Sequence, residues 1–380
     1  MNKVRILHAA DLHLNNGFSA RNFPYDIIQE RQKDLLETFD KIIKTAYQEK
    51  VDILLFSGDL FEYKFVQPDT IEYVNNKFRN LNNAYIFILP GNHDPFHVFH
   101  YYKSFPWSKN VFIFSDEYQK FELEKFNVIV HGIGFGYQEE RRPILETLRC
   151  QSLEKINILM LHGSDMTAAP IKQSNYLPFD QLDLVNSGFD YIALGHYHQF
   201  RELRNIYGNV IAAYPGSPEP LGFDELGKHG IILGDIKKQQ NDISMLPISK
   251  RQYFKLNIDI SCCKNLQEVQ QNIEDEIFDK NPEKNLFSII LTGYYSWKLG
   301  ESIEFLENQC KNLAYYIEIQ DNTERVYDLD SFITENTLLS SYILEIQNKL
   351  EKEKDIKQRN ILRKALEIGI HALRGGGQTE

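Results

Sequence analysis

The chain has 380 residues, enough for about two domains, and 42% are apolar, with 25 Phe and 21 Tyr, which excludes a disordered polymer. A net charge of −11, from 42 basic against 53 acidic side chains, argues against a surface coated for nucleic acid, though a local cationic site is compatible with it. No secretory apolar region, no run of membrane-spanning length and no CxxC pair among Cys150, Cys262, Cys263 and Cys310 lead us to expect a cytoplasmic protein with reduced thiols and no membrane association.

From residue 4 to about 236, short apolar runs alternate with amphipathic stretches. Val4–His8 reads as a buried strand, and 26–49 as a helix with Ile27, Ile28, Leu35, Phe39, Ile42 and Ile43 on one face. Residues 52–56 form the next strand, 69–82 the next helix and 84–89 the next strand. The segments 126–133, 156–161 and 191–194 continue the series, and 200–213 and 230–236 add antiparallel pairing. The pattern predicts a layered α/β (α+β) domain over 1–247. The periodicity resets near Pro247. Strand 253–260, helix 264–279, strand 287–294, helix 300–313 and strand 315–319 make a separate βαβαβ unit, placed at 248–330. Helices at 332–350 and 357–373 follow. Leu338, Leu339, Tyr342, Ile346 and Leu350 line one face and Leu362, Ala365, Leu366, Ile370 and Leu373 the other, either as a hairpin docked on its own domain or with an apolar face that waits for another protein. Residues 374–380 are a Gly-rich tail.

Five polar clusters each close an apolar run: Asp11-Leu-His13, Gly58-Asp59, Gly91-Asn92-His93-Asp94, His162-Gly163 and Gly195-His196-Tyr197-His198. Strand ends in α/β sheets converge on a shared crevice. Imidazole, carboxylate and amide donors together suit manganese, iron or zinc better than a soft thiolate site does. Two divalent metal ions are therefore expected. One would be held by Asp11, His13 and His198, the other by Asn92, His162 and His196, with Asp59 bridging. A hydroxide between the metals would attack a phosphate, and His93 would protonate the leaving oxygen, with Asp94 orienting its ring. His8, His97, His100, His131, His229 and His371 lack such neighbours and read as packing or surface residues. Arg141 with Arg142, and Lys103 with Lys109, are candidate phosphate contacts. Ser217 in Pro215-Gly-Ser-Pro218 is a candidate for a loop rimming the cleft.

These five clusters, in this order, resemble the calcineurin-like metallophosphoesterase superfamily. His8-Ala-Ala-Asp-Leu-His-Leu14, Tyr214-Pro-Gly-Ser-Pro-Glu219 and Gly222-Phe-Asp-Glu225 are similar to the SbcD-type DNA repair exonucleases within it. The resemblance implies a β-sandwich core flanked by helices, a capping domain that shapes DNA access, two manganese ions, DNA as substrate and a homodimer. It also implies a coiled-coil ATPase of the SbcC type docked on C-terminal helices, where 331–373 lies. Glu62 departs from the pattern, which has His three residues after the bridging Asp. With the acidic charge, it points to the YhaO-like branch.

Two other functions compete. A small-molecule or nucleotide phosphodiesterase, or a protein phosphatase, would use the same metals. The phosphatase pattern expects Asp-Arg-Gly soon after the bridging Asp, and here Gly58-Asp-Leu-Phe-Glu-Tyr63 runs instead. A scaffold without catalysis is disfavoured because every ligand type is present.

Overall fold

The computed structural model describes residues 3–18, 23–141, 144–146, 148–150, 152, 154–167, 176–238, 240–296, 303–326, 329–333 and 337–375. The chain divides into two compact units, Met1–Phe254 with Lys284–Leu286, and Lys255–Glu283 with Phe287–Glu380.

The first unit runs β1 (Lys3–Ala9), α1 (Tyr25–Gln48), β2 (Ile53–Ser57), α2 (Pro68–Asn80), β3 (Tyr85–Leu89), α3 (Tyr101–Ser104), β4 (Val111–Ile113), β5 (Gln119–Leu123), β6 (Val128–Ile133), β7 (Ile156–His162), α4 (Gln181–Ser187), β8 (Tyr191–Gly195), β9 (Arg201–Arg204), β10 (Val210–Tyr214), β11 (Gly230–Lys237) and β12 (Gln240–Pro247). Two six-stranded sheets result, ordered β12-β11-β1-β2-β3-β4 and β5-β6-β7-β8-β10-β9. In the first, β1 to β4 are parallel. In the second, β6, β7, β8 and β10 are parallel. The added strands pair antiparallel, β11 with β1 and β12, and β9 with β10. The fold is thus the expected layered α/β sandwich.

Alternation along each strand explains the layering. Val4, Ile6, Ile53, Leu55, Phe87 and Leu89 of the first sheet meet Val128, Val130, Ile156, Ile158, Met160 and Tyr191 of the second. Phe87 spans this layer, stacked on Phe112 at 5.2 Å and tilted to Phe121 at 5.8 Å. The outer face of the first sheet is covered by α1 and α2, whose Phe39 and Phe78 meet Phe56 at 6.4 and 5.5 Å. Each buried Phe adds about 1.5–3 kcal/mol. Sequence periodicity missed α3, β4, β5 and α4, each too short to carry a pattern, and also the eight-residue edge strand β12. On α1 the buried stripe also takes in Arg31 and Asp34, while Ile27 and Ile28 are only partly covered.

The second unit holds β13 (Tyr253–Asp259), α5 (Leu266–Ile277), β14 (Leu286–Thr292), β15 (Tyr294–Ser296), α6 (Ile303–Cys310), β16 (Tyr316–Asp321), β17 (Glu324–Val326), α7 (Leu329–Ile333), α8 (Leu338–Lys352) and α9 (Ile356–Gly375). Sheet β13-β14-β16 and helices α5 and α6 form the expected βαβαβ unit. Leu266, Val269, Ile273 and Ile277 are buried along α5. The helix expected at 332–350 is two: α7 ends at Ile333 and α8 starts after Thr337, which caps it in a reciprocal bond with Ser340. Ile343, Ile346, Leu366 and Ile370 make the α8–α9 core. Leu339, Tyr342, Ile346 and Leu350 pack there as expected, with Ile343 added, while Leu338 and Leu373, also expected on these faces, are 73% and 40% exposed.

Candidate metal centre

The loops leaving β1 and β2 run side by side. The Asp11 and His13 amides donate to the Gly58 and Asp59 carbonyls at 3.1 and 2.9 Å. Asp11, His13, Asp59 and His196 all have positive φ, at 53°, 46°, 51° and 106°. For non-glycine residues such backbone costs of order 1–3 kcal/mol each and persists only where surroundings impose it. Gly58 (φ 95°) and Gly195 make the crowding tolerable. A Cβ on Gly58 would strike the His162 ring, and one on Gly195 the Ser57 carbonyl.

These constraints bring one donor from each loop to a common point. His13 Nε2 and His198 Nε2 are 3.3 Å apart, and Asp11 Oδ1 is 3.9 Å from His198 Nε2. His162 Nε2 is 3.3 Å from Asp59 Oδ2 and 3.0 Å from Asn92 Oδ1. Asp59 Oδ2 also lies 3.8 Å from His13 Nε2, between the two groups. Asp11, His13 and His198 converge as one candidate set, and Asp11, Asp59 and His162 as another. The His196 ring stands 5.3 Å from that of His162, and its amide donates to both Asp11 oxygens.

The donor chemistry fits divalent cations. With Nδ1 of His162 donating to the Ser57 carbonyl at 3.0 Å, its Nε2 lone pair faces two oxygen acceptors. Buried His13 Nδ1 makes no hydrogen bond and lies 3.7 Å from Glu62 Oε2, while its Nε2 faces His198 and Asp59. Acceptors packed this closely repel unless a cation sits among them. The protons show the same tension. Burial opposes the charge on Asp59, yet His162 and His13 hold its carboxyl well below the usual range. Burial likewise opposes charge on His162 and His198, but Asp59 and Glu225 respectively raise both to about 9. His196 is lowered to about 3 by burial and by His162.

Behind the ligands, Glu225 accepts from His198 Nδ1 at 2.7 Å and from Ser217 Oγ at 2.6 Å, and Ser217 Oγ lies 3.0 Å from His229 Nδ1. At the rim, the His93 side chain is 44% exposed and its Nδ1 meets Glu62 Oε2 at 2.7 Å, while its amide donates to Asp59 Oδ1.

A family model described as calcineurin-like phosphoesterase matches residues 4–200, just over half of the chain and all five loops. The chain belongs to this family. Calcineurin-like phosphoesterases use a dinuclear divalent metal centre, and this one has candidate ligands for it. Among curated relatives, the uncharacterized metallophosphoesterase YhaO of Bacillus subtilis is 28% identical over 86% of this chain and 83% of its own. The DNA double-strand break repair protein Mre11 of Sulfurisphaera tokodaii is 27% identical over 93% and 91%. That of Saccharolobus solfataricus is 27% identical over 92% and 91%.

Within this phosphoesterase two expectations need correcting. Asp94 does not touch the His93 ring: its buried carboxyl accepts from the Gly91 and Phe61 amides and from Tyr102 Oη, at 2.7, 3.0 and 2.6 Å. Burial and the Asp59 charge push it up to about 6. Asp94 shapes the loop, and Glu62 is the partner of His93. Ser217 is fully buried against Glu225 instead of rimming a cleft. Arg141 is exposed and paired with Glu139, and Arg142 lies outside the described residues. Glu62 and Glu225 had a signal in the sequence, as acidic residues within motif stretches, but only folding shows which imidazole each meets.

Proposed function

We propose that this metal-dependent phosphoesterase is a DNA phosphodiesterase, an exonuclease or endonuclease in repair, that works with two Mn²⁺ ions. Asp11, His13 and His198 would hold one ion and Asn92, His162 and His196 the other, with Asp59 shared. When bound, such a pair activates water as a nucleophile and neutralises phosphate charge. The observation that carries the reading is His93: an imidazole at the exposed rim of an otherwise buried ligand set, braced by Glu62. Its Nδ1 donates to Glu62, which leaves Nε2 to hand a proton to the departing oxygen. Burial opposes its charge, but the Glu62 bond raises the His93 pKa and favours the acid form. The DNA substrate is supported by relatives named for double-strand break repair, which align across both units.

Hydrolysis of bis-p-nitrophenyl phosphate, p-nitrophenyl phosphate, single- and double-stranded DNA and cyclic nucleotides tests this. DNA and the aryl diester should be cut, and the monoester spared. Asp59→Asn should abolish turnover, and His93→Ala should lower it by about 10²–10⁴. Hydrolysis of cyclic nucleotides with DNA untouched would favour the nucleotide phosphodiesterase instead.

We also propose a partner, an SbcC-type coiled-coil ATPase, on the faces of α8 and α9 that carry exposed Leu344, Ile361 and Ile368. Aspartate at these three positions should abolish co-purification with that ATPase. Retention would remove the docking site. Among the described residues no helix is long and apolar enough to cross a membrane. The reading places the enzyme in the cytoplasm, as a homodimer.

A further inference from the structure

The loop leaving β6 passes the metal centre and then reaches the surface. Phe135 packs edge-on to His162 at 5.6 Å between ring centres. Two residues on, about 7 Å of extended chain, the Tyr137 ring stacks on His97 at 5.2 Å and 29°. Tyr137 is 65% exposed, which is unusual for a ring held in so defined a position.

Its setting is rigid. The Phe96 and His97 amides donate to the Phe135 and Gly136 carbonyls at 2.8 and 3.0 Å. His97 Nε2 meets Asp116 at 3.0 Å, and Lys103 Nζ meets His97 Nδ1 at 2.7 Å while lying 4.6 Å above the Phe96 ring. The shelf is tied to the loop that carries His93. Gln138, next to Tyr137, donates to Tyr63 Oη at 2.6 Å, and the Tyr63 amide donates to the His93 carbonyl at 3.0 Å. A preorganised, exposed ring beside a cationic side chain is how proteins hold a nucleic-acid base without reading its identity.

We propose that Tyr137, backed by His97, is a stacking shelf for a nucleobase next to the scissile phosphate, on the His93 side where the leaving group departs. This rests on the DNA reading and adds to it: the substrate strand must present an unpaired base there, so the enzyme acts on single-stranded or frayed ends.

A single-stranded phosphorothioate oligonucleotide carrying 2-aminopurine beside the terminal linkage, with Mn²⁺ present, tests it. The wild-type protein should quench the fluorophore. Tyr137→Ala should remove the quenching and weaken binding by between about fivefold and a hundredfold, the span of one aromatic–base stack. Tyr137→Trp should restore both. An abasic residue at that position should weaken wild-type binding by the same factor and leave the alanine variant's binding no weaker. The wild-type half of this arm changes the ligand alone, so it stands whether or not a variant folds. If both proteins cut DNA and bind the base-bearing and abasic strands alike, the shelf is wrong and the DNA reading stands. If the wild-type protein neither binds nor cuts DNA while hydrolysing the aryl diester, both fall.

Discussion

Two clusters of charged side chains are buried in the first unit, and they differ in what balances them. Near the start of α1, Arg31 bonds Asp34 at 2.7 Å and Glu219 at 2.8 Å. Arg251 bonds Asp34 at 2.6 Å, and Lys250 lies 2.8 Å from it. Two carboxylates meet two guanidiniums and an ammonium, and Thr38 Oγ1 and the Pro220 carbonyl take further valences. Each carboxylate of this clasp thus has a cationic partner or a backbone donor within the protein. At the metal centre Asp11, Asp59, Asn92 and four imidazoles converge, and among the described residues no lysine or arginine pairs with either carboxylate. A buried cluster whose carboxylates are each paired with a guanidinium or ammonium holds structure together. One whose carboxylates meet only imidazoles, which can give up their protons, can take a cation from outside.

Chelation should separate the two most sharply. Removing divalent ions with EDTA should abolish turnover while leaving the fold assembled, and Mn²⁺ should restore activity. Added Mn²⁺ at a hundredfold excess over its Kd should stabilise the protein by about 2.7 kcal/mol, read as a rise in Tm. Absence of any Mn²⁺-dependent shift would erase the distinction between the clusters.

Breaking the clasp should do the reverse. Arg31→Ala leaves Asp34 and Glu219 buried with fewer partners and should cost about 3–5 kcal/mol in chemical denaturation. Turnover per folded molecule should persist. Between these extremes lies Glu225→Gln, which keeps the fold but loosens His198. It should weaken Mn²⁺ affinity by about 10–100-fold in calorimetric titration, and an unchanged affinity would mean that His198 does not ligate.

The smallest effect is a pH slope. In the metal-free protein His162 and His198 are raised to about 9, so each holds a proton that a metal must displace. Mn²⁺ affinity should therefore rise with pH, by about tenfold per unit for each proton released, and level off above 9. Stability of the metal-free protein runs the other way. These imidazoles, raised above their unfolded value near 6.5, stabilise most fully below that pH, and the contribution disappears as pH climbs through 9. Melting temperatures with and without Mn²⁺, measured from pH 6 to 10, should diverge.

How much of this was legible in the chain varies by residue. The candidate ligand loops were, because each follows a continuous apolar run and carries at least one donor side chain. So was the α5 stripe, since Leu266, Val269, Ile273 and Ile277 recur at helical spacing. Arg31 and Asp34 were not. Nothing local distinguishes a charged pair on α1 that faces water from one that meets Glu219, 188 residues away from Arg31. The Asp94 assignment failed for a related reason. Adjacency in sequence suggested a contact with His93, but the turn directs the Asp94 carboxyl inward to Tyr102.

By itself the sequence determined which side chains lie at strand ends and therefore which chemistry this protein carries, because period-two alternation and turn residues are local properties. The tertiary structure alone decided which groups meet across the sandwich: Glu62 with His93, Glu225 with His198, Tyr137 with His97, and the clasp with no metal at all. Those pairings depend on the register and packing of two sheets, which bring together residues far apart in sequence, and no local pattern encodes them.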